Sequence, residues 1–151
     1  MKFSGQEIFP QSAAAIWTRL IDLESMARIL PDMDRVEEVG SDLLRCRVNP
    51  AFSFLAGSLQ LQFSLQEQDQ EKYLKISVQA KKIGAGLKLE ITLALVPDAD
   101  GTCLSWEATI LERNGLLKPI SESLIRAAAE KVIARTWSGF HQAMSEESHC
   151  T

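Results

Sequence analysis

The hydrophobic period changes along the chain. Between residues 58 and 110, apolar and polar residues alternate in four successive runs. Turn residues at 69–71, 84–86 and 97–101 separate these runs. The clearest run has Leu59, Leu61, Phe63 and Leu65 with polar residues between them. A period of two places every second side chain on the same face of a strand. The pattern therefore predicts an antiparallel meander with one buried and one solvated face.

The first third of the chain mixes both periods. Residues 3–9 predict a short opening strand, and Ser12 is a good N-cap for a helix over 13–20. A second short helix is predicted over 23–30, because the residue before Pro31 is forced out of the helical region. After a turn at residues 40–42, alternation over 44–48 predicts a further strand.

A helical period returns near the C-terminus. It predicts one long helix over residues 116–144, with Pro119 tolerated in its first turn. Twenty-nine residues at about 1.5 Å each span roughly 43 Å, which is the length of a strand of about 12 residues. We therefore expect a single domain over 1–144 and a polar tail over 145–151. The apolar stripe consists of Leu117, Ile120, Leu124, Ala128, Val132, Trp137, Phe140 and Met144.

These elements predict an α+β fold, in which a curved antiparallel sheet of six to seven strands surrounds the long C-terminal helix. Twisted strands make the sheet curl, and one helix of about 10 Å diameter cannot fill its concave face. Either a cavity remains there or bulky side chains close it, and the periodicity leaves both interpretations open. The ligand-binding residues that the first interpretation predicts are Phe63, Ile76, Val78, Leu89, Ile91, Trp106, Ala108, Leu124 and Ala128.

One loop between strands is unusually apolar. Phe52, Phe54 and Leu55 stand in a segment where polar residues are the norm. An apolar loop of this kind is typical of a gate or an interface, so a lid over the cavity or a tip that enters a membrane is one interpretation. Burial of the loop in the core is the other.

Composition narrows the class of protein. The chain has 151 residues with a net charge of −4, which argues against a nucleic-acid partner. Cys46, Cys103 and Cys150 are odd in number and far apart, as expected of reduced thiols in a cytoplasmic protein. No N-terminal apolar segment predicts a signal peptide, and no run is long enough to span a membrane.

Catalytic chemistry is poorly represented. His141 lies near the end of the last helix, where a cation is stabilised, and Glu90 and Glu107 fall on the solvated face with lysines nearby. We therefore expect no catalytic residues, no metal site and no cofactor. An enzyme of the cyclase or dehydratase type remains the alternative, and it would need an acid or base inside the cavity.

The order of elements resembles the START-like helix-grip (SRPBCC) superfamily, which includes polyketide cyclases, plant allergen-type carriers and lipid-transfer domains. The segment Ser12-Ala13-Ala14-Ala15-Ile16-Trp17-Thr18-Arg19-Leu20-Ile21-Asp22 carries the match, together with Gly101-Thr102-Cys103-Leu104-Ser105-Trp106. Lys2-Phe3-Ser4-Gly5 and the Leu30-Pro31 step are similar to the CoxG group of carbon monoxide dehydrogenase proteins. Asp32 stands where that group usually has glycine.

The resemblance implies a binding protein rather than an enzyme. It implies a hydrophobic small molecule or lipid as ligand, quinone-like in the CoxG group, and an accessory role for a molybdenum hydroxylase such as carbon monoxide dehydrogenase. It also implies contact with that redox enzyme and with the inner face of the membrane. The wider superfamily keeps the alternative open that the chain is similar to a polyketide cyclase acting on an aromatic substrate.

Overall fold

A computed structural model describes residues 1–55 and 57–149 as seven strands and three helices. The order of elements is the one that the sequence pattern predicts. The strands are β1 (Lys2–Phe9), β2 (Met33–Val39), β3 (Leu43–Val48), β4 (Leu59–Asp69), β5 (Tyr73–Lys82), β6 (Ala85–Asp98) and β7 (Gly101–Gly115), and the helices are α1 (Ala13–Leu20), α2 (Leu23–Ile29) and α3 (Glu122–His149).

All seven strands form one curved antiparallel sheet in the order β1-β7-β6-β5-β4-β3-β2. β1 and β2 are therefore the edges, and α1 and α2 connect one edge to the other. The inner face carries the apolar residues of each alternating run, as predicted, and α3 lies along it. β2 is the exception, because it has two register shifts and six of its seven residues are exposed.

Helix caps explain where the short helices begin. Ser12 Oγ accepts a hydrogen bond from Ala15 N at 3.2 Å, which is the cap that the sequence predicts for α1. Asp22 Oδ1 accepts one from Ser25 N at 3.2 Å and caps α2 in the same way. α2 ends at Ile29, immediately before the Leu30-Pro31 step.

The expected start of the last helix at residue 116 is wrong. Residues 115–118 form a turn, in which Lys118 N donates to Gly115 O at 3.0 Å, and α3 begins only at Glu122. Ser121 is the cap, because its Oγ accepts from Leu124 N at 3.3 Å. At the other end, α3 continues to His149 instead of stopping at residue 144. The remaining part of the expected polar tail, Cys150 and Thr151, lies outside the described residues.

The two ends of the sheet differ. At one end, which we call the mouth, the β3–β4 loop, the β5–β6 hairpin and the β7–α3 connection meet. Leu116 N donates to Gly84 O at 2.8 Å there, and Leu55, Leu59, Leu117 and Ile125 form a small apolar cluster. At the opposite end, α1 and α2 pack with Phe9, Leu104, Phe140 and other inner-face residues in the larger core. The space between the two clusters is where a cavity can form.

Trp106 fits the fold only because its neighbour on β1 is a glycine. Gly5 lies opposite Trp106 in the sheet, and a Cβ atom on Gly5 would stand 2.7 Å from Trp106 Cζ2. We expect Gly5→Ala to displace the indole ring and lower the free energy of unfolding by about 1–3 kcal/mol in denaturant titrations. Ser4→Ala, on the exposed side of β1, should change it by less than about 0.5 kcal/mol. Equal stabilities would contradict this packing.

The Cys46 thiol is fully buried on the inner face of β3. Burial, with a smaller contribution from the Glu37 charge, raises the pKa of Cys46 from 9.0 to about 11. The unfolded chain therefore loses its thiol proton at lower pH than the folded one. The contribution of the buried thiol to the free energy of unfolding is therefore fully present below about pH 9. The free energy of unfolding should fall by up to about 3 kcal/mol as the pH rises to about 11. The measurement is the free energy of unfolding of wild type and of Cys46→Ala at several pH values across that range. A difference between the two proteins that does not change with pH would contradict the prediction.

Candidate functional site

A cavity of about 340 Å3 lies between the concave face of the sheet and α3. Its walls come from every strand except β2, from the three helices and from the β3–β4 loop, and almost every lining side chain is hydrocarbon. The volume is within the range of small-molecule sites in proteins. Of the two interpretations that the sequence leaves open, the structure therefore contains the cavity and not a closed core.

Eight of the nine predicted ligand-binding residues line this cavity. They come from five different elements, since the alternating strands β4 to β7 and one face of α3 all turn toward the same space. The eight residues are Phe63, Ile76, Val78, Leu89, Ile91, Trp106, Ala108 and Ala128. Their position is a finding, whereas their contact with a ligand stays a prediction.

The expectation that Leu124 lines the cavity is wrong. Leu124 is 47% exposed, whereas its neighbour Ile125 is 6% exposed and lines the wall. Adjacent residues of a helix are turned by about 100°, so an error of one position moves a side chain out of the buried face. The error in the predicted face arises because the apolar residues over 116–121 belong to a turn and not to the helix. The inner face of α3 consists of Ile125, Ala128, Ala129, Val132, Ile133, Thr136, Trp137 and Phe140.

The apolar β3–β4 loop covers the mouth of the cavity. Phe52, Phe54 and Leu55 all line it, and the two phenyl rings stack with their centroids 5.4 Å apart and an angle of 7° between planes. Leu55 is buried against Leu59 and Leu117, so one side of the loop belongs to the core. The arrangement combines both interpretations, because the loop is packed on the protein and also closes one end of the cavity.

Asp32 is the one titratable side chain among the described residues that line the cavity. It adopts a left-handed backbone conformation with φ 58°, a region that glycine enters more readily than other residues. Its carboxylate accepts two hydrogen bonds from Arg135 of α3, at 2.8 and 3.2 Å, which raise the pKa of Arg135. A cyclase would need a free acid or base there, whereas this carboxylate is already paired with Arg135.

The other candidate titratable groups lie outside the cavity. On the outer face of the sheet, Glu90 is 3.7 Å from Lys75 Nζ and Glu107 is 2.8 Å from Lys2 Nζ, as the charge pattern predicts. His141 Nε2 lies 3.0 Å from Glu7 Oε1, and its ring stacks on Phe9 at 4.2 Å. Among the described residues, no three histidine, cysteine, aspartate or glutamate side chains are grouped to hold a metal ion. No described helix is long and apolar enough to cross a membrane.

A curved sheet closed by a long C-terminal helix over an apolar cavity defines a helix-grip protein of the START/Bet v 1 type. Within that class, the model of the carbon monoxide dehydrogenase CoxG family matches residues 5–145. The chain therefore belongs to the CoxG family, as the opening and Leu30-Pro31 motifs predict. No curated protein sequence matches the chain.

Solved structures support the same fold at low sequence identity. A conserved protein from Geobacillus kaustophilus has a TM-score of 0.86 at 14% identity, with 97% of this chain and 96% of that one covered. A START superfamily protein from Mycobacterium smegmatis has a TM-score of 0.71 at 14% identity, with 96% and 97% covered. Ara h 8.0201 has a TM-score of 0.68 at 10% identity, with 97% and 98% covered. At these identities the likeness concerns the fold.

Proposed function

We propose that the chain binds one hydrophobic small molecule or lipid, quinone-like in chemistry, in the cavity between sheet and α3, without transforming it. The observation that carries the proposal is the hydrocarbon wall, in which the titratable Asp32 is already paired with Arg135. Burial of apolar ligand surface in such a wall supplies about 25 cal/mol per Å2, whereas acid–base chemistry needs a free proton donor or acceptor. Membership of the CoxG family supports a role as accessory to an enzyme of the carbon monoxide dehydrogenase type.

Displacement of an apolar fluorescent dye tests this proposal. We expect the purified protein to bind the dye at one site and a short-chain quinone to displace it, with quenching of Trp106 and Trp137 beside the cavity. If aliphatic lipids displace the dye and the quinone does not, the quinone part of the proposal is wrong. If no apolar probe binds saturably, the binding function itself is wrong.

The mouth has the chemistry of a surface that contacts an anionic membrane. Ile83 at the tip of the β5–β6 hairpin is 97% exposed, and Leu116 beside it is 61% exposed. Lys81 and Lys82 directly precede Ile83 in the sequence, and Lys118 follows Leu116 by two residues. At the opposite end, the hairpin turns carry the acidic residues Asp42, Asp69, Glu71, Asp98 and Asp100. This polarity supports delivery or uptake of the ligand with the mouth toward the lipid.

Ile83→Glu is expected to weaken binding to vesicles that contain an anionic phospholipid by about 30-fold, because it removes an apolar contact and adds a repelled charge. Vesicle co-sedimentation measures the effect. Val96→Glu is the matched control, since Val96 is 57% exposed near the opposite end, and its binding should equal that of wild type. Equal loss in both variants, or in neither, would contradict a membrane-facing mouth.

A further inference from the structure

A second concavity lies directly behind one wall of the cavity. It is a groove of about 710 Å3 between the edge strand β1 and α3, it is open to solvent, and its lining includes charged as well as aromatic side chains. Phe3, Trp106, Ile133 and Trp137 line both spaces. A single layer of side chains therefore separates the hydrocarbon cavity from a solvated groove that contains charged side chains. The Trp106 and Trp137 rings, with centroids 6.3 Å apart, are the largest part of that layer.

The indole N–H group of Trp106 lacks a hydrogen-bond acceptor in this position within the described part of the chain. Its Nε1 atom is buried and, among the described residues, has no hydrogen-bond acceptor. A buried N–H group without an acceptor destabilises the conformation that contains it, so an oxygen atom of a ligand placed beside the ring would relieve the cost. Since Nε1 is shielded in the present conformation, a shift of the indole ring must accompany that contact.

The groove also holds a cation that the fold does not use in an ion pair. The guanidinium of Arg126 lies 5.0 Å from the centroid of the Phe3 ring, and none of the ion pairs among the described residues includes it. By contrast, Lys2 is paired with Glu107, and Glu7 with His141. Glu130 lies one turn further along α3 in the same groove, so the positive part of the groove is beside Phe3.

We propose that the β1–α3 groove receives the polar head of an amphipathic ligand whose apolar part occupies the cavity, with the head passing the Trp106 side chain. This inference rests on the proposed function and adds the chemical class of the ligand. The head carries oxygen acceptors, a carboxylate in the simplest case, because Arg126 and the Trp106 N–H group are both donors. A purely hydrocarbon ligand would leave the buried Trp106 N–H group without an acceptor.

Bromine quenching locates the head of a bound amphipath. In Trp17→Phe, the two remaining tryptophans, Trp106 and Trp137, both lie in the dividing layer. Hexadecanoic acid brominated beside the carboxylate should quench their fluorescence at least about twofold more than the same acid brominated at the methyl end. The reverse order would overturn the inference. Because Trp17 is a core residue, the same comparison in wild type, where Trp17 adds a constant background, guards against a folding defect.

Charge removal at Arg126 supplies an independent readout. Arg126→Gln should weaken binding of hexadecanoic acid about tenfold and leave its methyl ester unchanged, whereas Lys131→Gln on the exposed side of α3 should change neither. An equal effect of Arg126→Gln on acid and ester, or no effect on the acid, would overturn the inference. If neutral apolar probes bind and the acid does not, the inference fails while the proposed function stands; if no probe binds, both fail.

Discussion

Ala128→Trp is expected to reduce the affinity for a hydrophobic ligand by about 100-fold or more, which corresponds to roughly 3 kcal/mol. Ala128 lies on the inner face of α3 and lines the cavity, so the indole ring would occupy the volume that the ligand needs. The ring would enter space that is already apolar, and the protein should therefore remain folded with an unfolding temperature close to that of wild type. Dye displacement and thermal unfolding measure the two effects.

The matched control is the preceding alanine. Ala127 is exposed and does not line the cavity, so Ala127→Trp adds the same side chain on the outer side of the helix. Its ligand affinity should equal that of wild type within about twofold. If both variants lose binding equally, the loss reflects damage to α3 and not a filled cavity. If Ala128→Trp still binds with full affinity, the ligand does not occupy this cavity.

Phe140→Ala is expected to have the largest effect on stability. Phe140 is 1% exposed, and its ring makes edge-to-face contacts with Phe9 at 5.5 Å and with Trp137 at 5.7 Å. Truncation removes these contacts and enlarges a space that already exists, which should cost about 3–5 kcal/mol. For a domain of this size the unfolding temperature should fall by about 10 °C.

Leu124→Ala on the same helix provides the comparison for Phe140→Ala. Leu124 is 47% exposed and lies off the inner face, so its truncation should cost less than about 1 kcal/mol. Chemical denaturation of both variants gives the two free energies. Similar losses of free energy for the two substitutions would mean that α3 packs on the sheet by a different face. The assignment of Ala128 and Phe140 to the cavity wall would then be wrong.

The sheet and its inner face could be predicted because the period of a strand is independent of its neighbours. Alternation in β4 to β7 assigns each side chain to a face, and Phe63, Ile76, Leu89 and Ala108 lie where that rule puts them. β2 could not be predicted in the same way, since its two register shifts break the alternation and it lies at the exposed edge.

The helix was predicted with the correct composition and an incorrect start. Residues 116–121 are apolar enough to continue the stripe, but Gly115 adopts φ 60° and a turn follows it. Ser121, followed by Glu122, is the signal that would have placed the start correctly, because this pair is typical of a helix N-terminus. Leu124 then falls off the inner face and Ile125 falls on it.

The features of the site that sequence reasoning missed depend on contacts between distant segments. The ion pair of Asp32 with Arg135 joins residues that are 103 positions apart, so no local sequence pattern predicts it. The groove behind Trp106 requires β1 and α3 to lie side by side at the edge of the sheet. Gly5 was visible only as part of a family motif, whereas the structure gives the reason for it in the approach of the Trp106 ring.

Native mass spectrometry of the purified protein after incubation with a bacterial membrane lipid extract tests the central claim most directly. We predict a complex with one hydrophobic molecule per chain, which Ala128→Trp fails to form and Ala127→Trp forms normally. A protein that stays unliganded at every lipid concentration, or one in which both variants retain the bound molecule, would contradict the claim that the cavity between sheet and α3 is a ligand-binding site.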